Sequence, residues 1–329
     1  MLGSSLMLAV PLAKAAEDFN PAHNAEVRTL VDELAAQGIE REWLVSAMRR
    51  AEYQQGVLDA MSGAVERHLR WDEYRDIFIQ PGRIEAGAAF IDKYRDAFAR
   101  AKADYGVDPA IIAAIIGVET YYGRYTGDHR VIDSLATLAF HHPSRGDFFR
   151  GELAAFLEIT RKQGVDPLTL QGSYAGAMGY PQFIPTSYRA YAVDFDADGI
   201  RDLWHNPVDA IGSVGNYLAR HGWVADADLV SDAKGPQTPP GDIDFNRTQK
   251  PYVSVATLAE SGIEPVASNS LDGATQVIPL ALDFEGGKID YKLGHNNFYV
   301  ITRYNHSHLY AMAVTTLAER IRSAMEDGA

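Results

Sequence analysis

The segment Pro109–Thr120, reading PAIIAAIIGVET, is apolar on almost every side, and it constrains the fold more than any other stretch of the chain. A helix without a polar face cannot lie on a surface and belongs in the middle of a core, with partners all round. Asp108 offers an N-cap side chain and Pro109 the preset φ of a first helical position, so the start of this helix is written in the sequence. Gly123 is the expected terminator. The whole chain, 329 residues with 47% hydrophobic side chains, is long enough for two or three compact domains and a sizeable core.

Around this helix the periodicity is mostly helical. Apolar residues recur at three- and four-residue spacing over residues 24–103, as in Val27, Leu30, Val31 and Leu34. Further helical patterns cover residues 134–140, 150–163 and 208–221, interrupted by the glycine-rich GSYAGAMGYPQFIPTSY. From Asp226 the character changes to Pro, Gly, Asp and Ser with short alternating runs, among them IPLALDFE and KIDYKL on either side of a Gly286-Gly287 turn signal. After residues 299–302 a last helical stretch covers 309–325. The expected class is α+β, mainly α. It divides into a signal-like segment (1–16), a helical region (17–105), a core (106–225), a small β-rich insert (226–291) and a C-terminal return to the core (292–329).

A formal charge of -14 argues against a nucleic-acid binder, which needs a basic face, and gives no reason to bind acidic membranes. No cysteine is present, which excludes disulfides, thiolate nucleophiles, zinc ribbons and a lipid anchor on an N-terminal Cys. The first residues, MLGSSLMLAVPLAKAAEDF, form a short apolar run ending in Ala13-Lys14-Ala15. This fits a signal-peptide tail, or an apolar N-terminal helix, since no Lys or Arg precedes the run. Later in the chain nothing has the ~20 apolar residues of a membrane span.

Three features can carry chemistry. Glu119 falls in the last turn of the apolar helix, where burial and the negative end of the helix dipole both raise a carboxyl pKa, so a neutral acid near pH 7 is plausible. The competing reading is a helix-end salt bridge to Arg124. Second, GSYAGAMGYPQF has three glycines for close backbone approach, with Ser, Gln and tyrosines that suit a neutral polar ligand such as a sugar, although composition alone favours a flexible loop with its tyrosines packed into the core. Third, DFDADGIRD places oxygen ligands at positions one, three, five and nine (Asp194, Asp196, Asp198, Asp202) and Gly199 at six, the pattern of a calcium loop. It departs from an EF-hand at position twelve, which is His205, so a later ligand such as Asp209 must close the site; the bland reading is an acidic turn. The histidines (His141-His142, His205, His221, His306, His308) lack metal-ligand spacing, and no nucleophile elbow, Walker loop or dinucleotide fingerprint occurs.

Taken together, GVETYYGRYTG, GSYAGAMGYPQFIPTSYRAYAVDFDADGIRDLW and YVITRYNHSHLYAMAV resemble the membrane-bound lytic murein transglycosylase B family, in order, from about Asp108 to the C-terminal helix. The resemblance implies a lysozyme-like core with the glycan in a groove across it, a helical domain and a small β domain. It implies Glu119 as the catalytic acid, and Ser173, Met178, Gln182, Tyr217, Tyr304, Asn305 and Tyr310 as substrate-binding residues. It also implies structural calcium on Asp194, Asp196, Asp198, the Ile200 carbonyl and Asp209, with no catalytic cofactor. LWHNPVD before Asp209 is one residue longer than the usual pattern.

The implied reaction cuts the MurNAc-GlcNAc β-1,4 bond of peptidoglycan and leaves 1,6-anhydromuramoyl ends, for wall remodelling and turnover. Rival readings are a muramidase hydrolase, with Asp133 or Asp147 as the second carboxylate, and a non-catalytic, calcium-stabilised peptidoglycan-binding protein. Expected partners are glycan strands, with cell-wall synthases or amidases as protein partners, and neither nucleic acid nor a stable membrane anchor. The expected location is the periplasm, by export, without lipidation.

Overall fold

The computed structural model describes residues 18–63, 69–266 and 271–327; the signal-like segment 1–16 lies outside them. The helices are α1 (Ala25–Ala36), α2 (Arg41–Arg50), α3 (Gln55–Gly63), α4 (Trp71–Phe78), α5 (Pro81–Lys93), α6 (Arg95–Tyr105), α7 (Pro109–Thr120), α8 (Val131–His141), α9 (Gly146–Gln163), α10 (Pro185–Tyr191), α11 (Pro207–Arg220), α12 (Val255–Glu260), α13 (Asn296–Tyr304) and α14 (His308–Asp327). The strands are β1 (His129–Arg130), β2 (Gln171–Gly172), β3 (Val230–Lys234), β4 (Val253–Ser254), β5 (Glu264–Pro265), β6 (Gln276–Asp283) and β7 (Ile289–Gly294). The chain forms two compact units. Among the described residues, one comprises 18–63, 127–178 and 182–190; the other comprises 69–126, 179–181, 191–266 and 271–327.

In the first unit α8 packs on α9, with α3 against α8 and α1 against both α2 and α9. Asn24 starts α1 by accepting the amides of Glu26 and Val27, and Val27, Leu30, Val31 and Leu34 form its buried face. The two-residue strands β1 and β2 pair antiparallel, His129 opposite Gly172 and Arg130 opposite Gln171, and so fix the entrance to the glycine-rich loop.

The second unit is built round α7, which packs against α14, α5, α11 and α6. The apolar sequence therefore has its partners on all sides. Asp108 caps the helix by accepting the Ala110 amide at 2.7 Å. Ile111, Ile112, Ile115 and Ile116 are essentially without solvent contact, and each contributes about 2 kcal/mol of transfer free energy. The same unit carries a five-stranded sheet in the order β4-β6-β7-β3-β5, with every pairing antiparallel. Gly286 and Gly287 make the turn between β6 and β7 with φ of 76° and 78°, a conformation glycine adopts without a Cβ penalty. Beneath the sheet Val255, Leu258, Ile263, Val277, Tyr291 and Leu293 form a small core. Residues 299–302 belong to α13.

Candidate active site

Helix α7 ends at Thr120, with Tyr121 as its C-cap, just ahead of Gly123. Tyr121 and Tyr122 both take left-handed backbone angles, φ 50° and 59°, ahead of Gly123. Non-glycine residues in this region are strained and need outside support. Here the Tyr122 ring supplies it: its hydroxyl donates to the Arg83 carbonyl at 2.9 Å, and it lies so close over Gly87 and Gly117 that a Cβ there would meet it at 2.4 and 2.6 Å. The Thr120 hydroxyl accepts the Gly123 amide and donates to the Tyr180 carbonyl, both at 3.0 Å. The reversal immediately after Glu119 is thus tied on both sides.

Glu119 keeps partial solvent contact, yet its carboxyl is densely surrounded by protein. Burial pushes its pKa from 4.5 to about 7, while the hydrogen bond from Tyr310 pulls it back down. That bond, Tyr310 Oη to Glu119 Oε1, is 2.6 Å long. Arg124 is exposed and lies over the Tyr121 ring at 4.8 Å, so it is not the salt-bridge partner that a helix-end role for Glu119 requires.

Behind Glu119 stands a group of tyrosines. Tyr310 and Tyr304 are nearly parallel, 6.4 Å between centroids, and Tyr304 meets Tyr217 at 4.8 Å. Their hydroxyls are anchored on backbone: Tyr217 donates to the Arg303 carbonyl at 2.5 Å and Tyr304 to the Pro181 carbonyl at 2.6 Å. Burial holds Tyr304 and Tyr310 well above the ordinary phenol value, with the nearby Glu119 adding to the rise, so both stay neutral donors. Asn305 is exposed at the end of α13. Tyr74 on α4, which the sequence gave no reason to single out, is pushed up to about 12 by burial with a contribution from Glu119, and so stands near the carboxyl. An amphipathic helix carrying one tyrosine reads as ordinary core packing, and only the tertiary fold distinguishes it.

Ser173, Met178 and Gln182 belong to the other compact unit. The Ser173 hydroxyl accepts the amides of Ala175 and Ala177 at 3.3 and 3.0 Å and closes the loop on itself. Met178 is fully buried and bridges to both Gly172 and Phe183, and Gln182 is half-buried with a left-handed φ of 48°. Asp133, a candidate second carboxylate, accepts Arg130 Nε at 2.6 Å and the Glu52 amide at 2.9 Å, which accounts for it structurally. Asp147 is exposed in the first turn of α9.

In the acidic loop, Asp194, Asp196 and Asp209 each present a carboxylate oxygen, all within 4.8 Å of one another. Asp209 is completely buried, and its pKa is pushed up to about 6, by burial first and then by the charges of Asp196 and Asp194, against the amides of Phe195 and Asp202 that favour its anion. Hard oxygen donors crowded in this way fit a calcium ion, which would relieve their repulsion. Asp198 is not in the trio; its carboxylate accepts the Ile200 amide, and Asp202 turns to the amides of Trp204 and His205. Glu119 and this loop are linked by backbone: the Leu203 carbonyl accepts the Tyr180 amide at 2.9 Å, and Tyr180 in turn accepts Thr120.

A mainly helical fold with a carboxyl among tyrosines, its pKa raised to about 7 by burial, is that of a lysozyme-like, glycan-cleaving enzyme. The chain belongs to the transglycosylase SLT domain family, which it matches over residues 22–319. It is 41% identical to membrane-bound lytic murein transglycosylase B of Escherichia coli K12, over 92% of this chain and 84% of that protein. Among solved structures it resembles the soluble lytic transglycosylase SltB1 of Pseudomonas aeruginosa, with 45% identity, a TM-score of 0.84, and 92% and 99% of the two chains covered. It also resembles the Escherichia coli lytic transglycosylase Slt35 solved with calcium, with 41% identity, a TM-score of 0.85, and 97% and 99% covered. The chain is therefore a peptidoglycan-cleaving enzyme, and the reading as a non-catalytic wall-binding protein falls.

The Tyr310 bond favours the Glu119 carboxylate, so removing it should leave the acid protonated to higher pH. In Tyr310→Phe the alkaline limb of kcat/KM is expected to move up by about 1 pH unit, as measured in a rate profile from pH 5 to 9. An unmoved or lowered limb would contradict this coupling.

Proposed function

We propose that Glu119 acts first as the acid and then as the base in a non-hydrolytic cleavage of the MurNAc-GlcNAc β-1,4 bond. The observation that carries this reading is a carboxyl near pKa 7 with one neutral tyrosine donor. Glu119 donates its proton to the glycosidic oxygen, the bond from that oxygen to muramic C1 breaks, and the substrate's N-acetyl group stabilises the cation at C1. Glu119, now anionic, takes the proton of the C6 hydroxyl as that oxygen closes on C1. A 1,6-anhydromuramoyl end forms, no water is consumed, and Glu119 is reprotonated for the next turnover. A pKa near 7 suits both halves, because one group must give and take a proton at similar cost.

Tyr217, Tyr304, Asn305 and Tyr310, in the unit that carries Glu119, contact the sugar in this reading; Ser173, Met178 and Gln182 are proposed as sugar-binding from the family resemblance alone. Asp194, Asp196 and Asp209, joined by Asp198 and the Ile200 carbonyl, hold a structural calcium ion, supported by the calcium complex of the Slt35 relative. Wall remodelling in the periplasm is the matching role. Mass spectrometry of sacculi digested with the pure enzyme tests the product: anhydro ends are expected, and reducing ends alone would establish a hydrolase instead.

A further inference from the structure

The compact unit that does not carry Glu119 has a pocket of about 290 Å³ between α2 and the C-terminal end of α9, and the reaction assigns it no task. Trp43, Ser46, Ala47 and Arg50 line it from α2, at the three- and four-residue spacing of a single helix face. Helix α9 stops at Gly164, whose left-handed φ of 70° turns the chain and brings Asp166 into the wall.

The chemistry of the wall narrows the occupant. Trp43 is half-buried, so part of a large flat ring stays open in an otherwise hydrophilic wall. Arg161, tied to Glu40 at 2.9 Å, stands 5.8 Å from the ring centre, the outer limit of a cation–π contact, and so flanks the ring without covering it. Among the described residues the indole N–H has no protein acceptor. Asp166 is fixed through both oxygens: Oδ1 accepts the Leu168 amide at 3.1 Å and Oδ2 accepts Arg50 Nη2 at 3.3 Å. Neither oxygen is saturated, and Arg50 spends only one arm of its guanidinium on the pair. The pair therefore offers a donor and an acceptor side by side. Arg50 is balanced by Asp166 and Arg161 by Glu40, so a charged ligand gains little here and a neutral one loses nothing.

A flat aromatic face beside a fixed donor and acceptor, without net charge, suits a neutral sugar ring: its C–H face packs on the aromatic and two adjacent polar substituents meet the pair. We propose that this pocket is a second glycan site, taking one N-acetylglucosamine residue of the strand. Its ring lies on Trp43, its N-acetyl carbonyl accepts from Arg50, and the neighbouring C3 hydroxyl donates to Asp166. N-acetylmuramic acid fits worse, because its C3 oxygen carries a lactyl ether and has no proton to donate. A strand repeats the same sugar along its length, so a weak second site adds to affinity for the polymer and not for a short fragment. The proposal rests on glycan being the substrate, and not on which residue cuts it.

The test compares wild type, Trp43→Ala and Trp43→Tyr on intact sacculi and on a soluble glycan tetrasaccharide, which has too few sugars to fill the site of cleavage and a second site at once. Trp43→Ala is expected to raise the half-saturating amount of sacculi about fivefold at unchanged kcat, with Trp43→Tyr close to wild type. Both should match wild type on the tetrasaccharide. A second readout needs no cleavage: the indole N–H resonance that disappears in Trp43→Tyr should shift when chitobiose is titrated into wild type, and this titration decides the matter even if Trp43→Ala folds poorly. An unmoved resonance, a Trp43→Ala variant equal to wild type on sacculi, or an equal loss on both substrates would each overturn the assignment. Failure of the glycan-cleaving reading looks different: wild type would cut neither substrate.

Discussion

Glu119→Gln is expected to lower peptidoglycan cleavage by about four orders of magnitude or more, because the amide can neither give the proton to the leaving oxygen nor take one from the attacking hydroxyl. Binding of glycan should survive, since the tyrosines behind Glu119 are anchored on the Arg303 and Pro181 carbonyls and do not depend on the carboxylate. Stability should move the other way. The folded carboxyl releases its proton near 7, the unfolded one near 4.5. Between those values the native state holds more protons than the unfolded chain, so wild-type stability falls as pH rises through this window and levels off above it. The accumulated cost at pH 8 is on the order of 3 kcal/mol. Glutamine carries no charge to desolvate and escapes this cost, so the variant should melt higher than wild type at pH 8 and close to it at pH 4. Calorimetry at the two pH values and a sacculus-release assay decide the matter: a variant that cleaves normally, or that loses stability at pH 8, would remove Glu119 from the proposed role.

What could be read without the structure was what is encoded locally. Asp108, Pro109 and the isoleucines specify α7 and its burial through neighbouring residues, and the spacing of Asp194, Asp196 and Asp198 specifies an oxygen-rich loop by itself. The detail of the helix end was not legible: Gly123 signals a terminator, but the left-handed Tyr121 and Tyr122 come before it, and Tyr122 is held by Gly87, Gly117 and the Arg83 carbonyl, which are remote in sequence or one turn back. Sheet order was likewise hidden. The hairpin of β6 and β7 announces itself through Gly286-Gly287, but β3 pairs with β7 across some sixty residues of chain, and no local pattern selects that partner. Tyr217 and Tyr304 were placed near the site by family resemblance alone, and Tyr74 was not placed there at all. Sites assembled from several elements depend on packing that no single segment records.

Calcium should raise the melting temperature of the wild type by about 5 °C when present at a hundredfold excess over its Kd, corresponding to about 2.7 kcal/mol in a chain of this size. The sign of a single substitution then depends on the ion. With chelator present, Asp194, Asp196 and Asp209 repel one another within 4.8 Å, and Asp196→Asn relieves part of that repulsion, so the variant should melt no lower than wild type. With calcium present the same change removes a ligand, and the variant should lose most of the increment. Activity should follow, because the loop is not isolated from Glu119. Gly179 runs so close to the Leu203 carbonyl that a Cβ would sit 2.1 Å from it. The next two residues carry the load onward: Tyr180 accepts Thr120, and Pro181 accepts the Tyr304 hydroxyl. A loop loosened by chelation loosens the backbone on which the residue after Glu119 and one of its tyrosines are fixed, so kcat should drop while the alkaline limb, set by burial and Tyr310, stays in place. Identical melting curves in chelator and in calcium would refute an occupied site, and a drop in activity accompanied by a shifted limb would show that the ion acts on the carboxyl itself rather than on its support.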